Sequence, residues 1–89
     1  MLYLVIEHFI PGKQAEIYRR FEEKGRMLPY QVNYINSWIN CDLDTCYQLM
    51  ESDTLENLQD WMKNWNDLAH FEIIPVLTSA EAKKRILDK

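Results

Sequence analysis

Leu2-Tyr3-Leu4-Val5-Ile6-Glu7-His8-Phe9 is the stretch on which the fold turns. In an extended chain successive side chains alternate, so Leu2, Leu4, Ile6 and His8 share one face and Tyr3, Val5, Glu7 and Phe9 the other. Both faces are mainly apolar. A strand of that kind belongs in the middle of a sheet, covered on both sides. Pro11-Gly12 then breaks the chain.

Downstream, the spacing of Ile17, Tyr18, Phe21 and Leu28 predicts a helix from about Lys13 to Met27. Glu16 with Arg20 and Arg19 with Glu23 stand four apart on its solvent side. Gly25 and Pro29 mark its end. A second strand follows from about Val32 to Asn40, with Tyr34, Asn36 and Trp38 on one side and Ile35, Ser37 and Ile39 on the other. Asp42-Leu43-Asp44 makes a turn, and Cys46 to Glu51 returns as a hairpin partner.

A second helix is expected to open near Asp53, where Asp53 and Glu56 have the spacing of a reciprocal cap. Its stripe is Leu55, Leu58, Met62, Trp65 and Ala69, widened by Trp61 and Leu68. The fourth strand spans about Phe71 to Leu77. Pro75 within it has no N–H to donate and marks an edge strand. Thr78 with Glu81 predicts a capped short helix reaching Leu87.

Two strand–helix–strand units joined by a hairpin make an α+β, ferredoxin-like βαββαβ domain over residues 1–89. Its strands lie in spatial order four, one, three, two, and right-handed crossovers put both helices on one face. The helix-free face still carries large apolar side chains, each costing roughly 1.5–3 kcal/mol to leave wet. A homodimer pairing these faces, a dimeric α+β barrel, removes that cost for both copies at once.

Composition narrows the function. The formal net charge is -4 and no basic stripe interleaves with aromatics, which argues against nucleic acid as a partner. No apolar run has the length of a membrane span. Two glycines do not make a phosphate-cradling loop. Met1 leads directly into the first strand, so a cytoplasmic protein with reduced thiols is expected.

Several residues are candidates for chemistry. Asn36 and Gln48, polar groups inside strands, would orient a small planar ligand between the aromatic walls Tyr34 and Trp38. The plainer reading has the two amides bonding each other or facing solvent. His8 is the strand residue suited to general-base work, although a strand-end histidine is more often structural. Glu7 needs a partner such as Glu51 or Arg26, or water at the rim. His8, Cys46 and His70 converge on one end of the proposed sheet with Cys41, Asp42 and Asp44, a donor set that would suit zinc if strand parity allowed it. Cys41 and Cys46 would bridge only at some hairpin registers. Trp61 belongs to the core stripe and, at its margin, would close a pocket mouth. No covalent triad is visible around Ser37, Ser52 or Ser79, and no cofactor is expected.

Five segments carry a family resemblance: Glu7–Gly12, Lys24–Pro29, Ser37-Trp38, Cys46–Glu51 and Phe71–Glu81. Through them the chain resembles a family of small proteins catalogued as a domain of unknown function, within the dimeric α+β-barrel superfamily. The resemblance implies the fold and a homodimer, but no activity. The superfamily includes cofactor-free monooxygenases, haem-degrading enzymes and stress-responsive proteins, and no catalytic set of any branch maps onto this chain. Two readings follow: a small-molecule-binding or structural module without turnover, or a cofactor-free monooxygenase-like enzyme acting on a small planar or hydrophobic substrate.

Overall fold

Strand β1 (Leu2–Phe9) buries Tyr3, Val5, Glu7 and Phe9 on one face and presents Leu2, Leu4, Ile6 and His8 on the other. A computed structural model describes residues 1–88 and places β1 inside a four-stranded antiparallel sheet. The remaining elements are α1 (Gln14–Lys24), β2 (Val32–Ile39), β3 (Thr45–Ser52), α2 (Leu55–Met62), β4 (Ala69–Val76) and α3 (Ser79–Leu87). The strand order is β2-β3-β1-β4, the ferredoxin-like arrangement. β4 takes an edge, as Pro75 requires.

Cross-strand register sorts the two faces. Glu7 stands between Cys46 and Phe71, and Val5 between Gln48 and Ile73. These residues face the helices. Leu4 stands between Leu49 and Ile74, and Ile6 between Tyr47 and Glu72, on the helix-free face. The core on the helix side is built from Val5, Phe9, Val32, Met50, Leu58, Trp61, Trp65 and Leu68.

Five local expectations are corrected. A bulge in β2 between Tyr34 and Asn36 shifts the register, so Tyr34 opposes buried Met50 while Asn36 opposes Leu49. Tyr34 and Asn36 therefore lie on opposite faces, and Tyr34 joins Ser37 instead, with their hydroxyls 2.6 Å apart.

Helix α1 stops at Lys24, where Gly25 adopts φ +66° and bonds back to the Phe21 carbonyl. On its surface Lys13, not Arg20, meets Glu16. Arg20 instead grips Asp67 through two bonds of 2.7 and 2.8 Å, a fork geometry that outcompetes a single intrahelical contact.

Helix α2 is capped by Thr54, whose hydroxyl accepts from the Asn57 N–H, in place of Asp53. It also ends at Met62. Trp65 and Leu68 reach the core from the turns that follow. Thr78 does cap α3 as expected, accepting from the Glu81 N–H at 3.1 Å.

Candidate functional site

A cavity of about 200 Å³ opens between α1 and the sheet. It exists because α1 seats itself on little: Ile17 is its one buried residue, while Tyr18 and Phe21 stay 48% and 39% exposed at the rim. The sheet supplies Glu7 and Phe9 from β1, Cys46 and Gln48 from β3, and Ser37 and Ile39 from β2. Trp61 and Trp65 form the far wall, and Arg26 closes one end.

The floor is polar and buried. Glu7 is 6% exposed and Gln48 5%. Gln48 Nε2 donates to Glu7 Oε1. The amide's other atom, Oε1, is buried with no hydrogen-bond partner among the described residues. Burial pushes the Glu7 carboxyl up to about 7, against the opposing pull of the Gln48 bond and the nearby Arg26 guanidinium. Desolvation, reinforced by the Glu7 charge, pushes the Cys46 thiol up to about 12, so it is a neutral wall group rather than a nucleophile. Tyr18 is also raised, first by burial and then by Cys46 and Glu7.

Arg26 is held with unusual care. Its guanidinium carbon sits 3.7 Å from the centre of the Tyr34 ring and 4.9 Å from that of Phe21. Its Nη2 donates to Ser37 Oγ at 3.4 Å. Its backbone carbonyl accepts from both indoles, Trp61 Nε1 at 2.8 Å and Trp65 Nε1 at 3.1 Å. The next residue, Met27, has φ +56°, left-handed backbone that costs a side-chain-bearing residue about 1–3 kcal/mol. Asn64 holds that turn by donating to the Met27 carbonyl at 3.2 Å. The indoles of the α2 segment thus fix the turn after α1 and, through it, the cation at the pocket.

The residues expected to form a site are divided between the two faces. Tyr34, Gln48 and Trp61 lie on the helix side. Tyr34 cradles Arg26, and Trp61 is fully buried, a wall rather than a lid. Trp38 borders the cavity but is 54% exposed and pairs with Tyr47. Asn36 is exposed on the opposite face, where its Oδ1 accepts from the Ser37 N–H, so it does not meet Gln48.

His8 is likewise on the opposite face. Its Nε2 lies 3.2 Å from Glu72 Oε2, and it pairs in register with His70. Cys46 points away from both histidines, so the expected His8–Cys46–His70 grouping is not assembled. Cys41 sits exposed in the turn while Cys46 pairs with Ile39, and both thiols are free. Asn40 organises that turn, accepting from the Asp44 and Thr45 N–H groups at 3.0 Å.

Glu7 and Arg26 are the site residues that sequence reasoning underweighted. Glu7 stood on the same strand face as Val5 and Phe9, and that parity already placed it inside.

The model of a family described as Domain of unknown function (DUF3303) matches residues 1–88. The chain belongs to that family. Among solved structures, this DUF3303 protein is similar to an uncharacterized NIPSNAP domain protein from Burkholderia xenovorans. Identity is 10% and the TM-score 0.53, over 89% of this chain and 97% of that one. It is also similar to a putative antibiotic biosynthesis monooxygenase from Chloroflexus aurantiacus J-10-fl. There identity is 16% and the TM-score 0.45, over 86% and 95% of the two chains. No curated protein matches it. The Burkholderia likeness supports the ferredoxin-like fold, and none of these comparisons assigns the DUF3303 pocket an activity.

Proposed function

We propose that this protein is a small-molecule-binding module, working as a homodimer in the cytoplasm, whose ligand enters the cavity between α1 and the sheet. The observation that carries this reading is the polar floor, a buried Glu7–Gln48 pair, under apolar walls. Buried carboxyl and amide groups are costly to a core of this size, and a convergent pair in a concave apolar site is how ligand pockets orient their occupants. The volume fits a small ring, since a cavity of roughly 150 Å³ already admits benzene. The two exposed-rim aromatics on α1 give the ligand a way in.

The homodimer rests on the other face. Leu4, Ile6, Tyr47, Leu49 and Ile74 lie together there, with Ile74 44% exposed. An isologous contact covers both copies of such a surface at once. The two free cysteines, one in a turn and one in the pocket wall, suit a reducing compartment.

Amide NMR spectra with a panel of one-ring aromatic fragments test the pocket. Shifts are expected to converge on Ile17, Cys46, Gln48 and the Trp61 indole N–H. No shifts at millimolar fragment, or shifts scattered over the surface, would contradict the reading. Native mass spectrometry tests the assembly: two chains are expected, and Leu49→Glu is expected to give one. A wild-type monomer at micromolar concentration would remove the dimer and leave the pocket untouched.

A further inference from the structure

The floor of the cavity has a hydrogen-bonding sense, and that sense narrows the ligand. One N–H of Gln48 Nε2 is committed to Glu7 Oε1, and beside its second N–H the capacity left at the floor is acceptor: the buried, unpartnered Gln48 Oε1 and the rest of the Glu7 carboxylate. A buried acceptor left unsatisfied is costly, so an occupant that donates to it recovers that cost. The walls around it, Phe9, Ile17, Trp61 and Trp65, are apolar and suited to a ring face. Charge adds a second constraint. Arg26 at one end disfavours a cation and Glu7 at the floor disfavours an anion.

Resting on the pocket reading above, we propose that the ligand is a neutral single-ring compound of the phenol class, with an O–H or N–H donor directed at Gln48 Oε1 and Glu7. The ring occupies the aromatic end, and the donor points to the floor.

Protonation of Glu7 reverses the pattern. The carboxyl O–H then donates to the amide oxygen, the amide turns over, and the floor presents the Gln48 N–H instead. The other titratable groups around Glu7 are Cys46 on β3, Tyr18 on α1 and the Arg26 guanidinium after α1. Cys46 and Tyr18 are shifted upward and stay neutral across the range where Glu7 titrates. Gln48, Phe71 and Trp61 complete the surroundings without charge. Donor ligands therefore bind better as Glu7 loses its proton.

Calorimetric titration of the intact protein with 4-ethylphenol, 4-ethylanisole and ethylbenzene at pH 5.5 and 8 tests this. At pH 8 the phenol is expected to bind about tenfold tighter than its methyl ether, the loss for one unmet buried acceptor. The advantage is expected to shrink several-fold at pH 5.5. Gln48→Met should erase the phenol's advantage while ethylbenzene still binds. Glu7→Gln, neutral like the protonated carboxyl and able to donate to Gln48 Oε1, should hold the advantage at its smaller pH 5.5 value and abolish its pH dependence. Equal binding of all three probes to the wild type overturns the donor claim and leaves the pocket reading standing. Binding of none of them overturns both.

Discussion

Helix α2 and helix α1 cover the same face of one sheet in matching strand–helix–strand units, and they cover it differently. The α2 segment sends Leu58, Trp61, Trp65 and Leu68 into the core, all 5% exposed or less. Helix α1 commits only Ile17 and leaves a cavity beneath it. The α2 unit stabilises the molecule, and the α1 unit leaves space beneath it. They are coupled at one atom, the Arg26 carbonyl, where two indoles from the tight side hold the turn that ends the loose side. Good packing on one half is what permits poor packing, a buried carboxyl and a left-handed Met27 on the other.

Substitutions should separate the two halves by size of effect. Trp61→Ala removes a fully buried indole and its bond to Arg26, and is expected to cost about 3–5 kcal/mol in urea denaturation. In a domain this small that is a large fraction of roughly 4–13 kcal/mol in all. A loss under about 1 kcal/mol would mean that the α2 side is not the scaffold.

Glu7→Gln should act in the opposite direction and only at higher pH. The folded carboxyl holds its proton to about 7, whereas an ordinary one loses it at 4.5. Between those values the unfolded chain binds fewer protons, so stability falls as pH rises through the window and levels off above it. The neutral glutamine escapes that loss. The variant is expected to be about 1–3 kcal/mol more stable than wild type at pH 8 and no more stable at pH 4. Equal stability at both pH values would place the carboxyl in water.

Phe21→Ala should have the smallest effect on folding, under about 1 kcal/mol, because the ring is already 39% exposed. Its effect should appear in fragment affinity instead. A large stability loss there would show that α1 is packed after all.

Much of this was legible in the chain. The doubly apolar β1 announced a central strand, Pro75 an edge, and Thr78 a helix cap, because each depends on local chemistry alone. The site was read less well because it depends on one residue of register. The β2 bulge sends Asn36 and Tyr34 to opposite faces, and nothing in the Asn-Tyr-Ile-Asn-Ser run marks it. Strand parity on β1 separated His8 from Glu7 correctly, yet chemical familiarity favoured the histidine. Arg26 stood out only as one of two possible partners for Glu7, because its position is set by Trp61 and Trp65, 35 and 39 residues away, through a backbone carbonyl that no side-chain pattern reveals.

The pocket and its pH dependence both require that Glu7 lie dry on the floor of the cavity rather than wet at its rim. A carbon-detected NMR titration of its side-chain carboxyl, from pH 4 to 9, tests it most directly. A midpoint close to 7 is expected. A midpoint at or below 4.5 would contradict it.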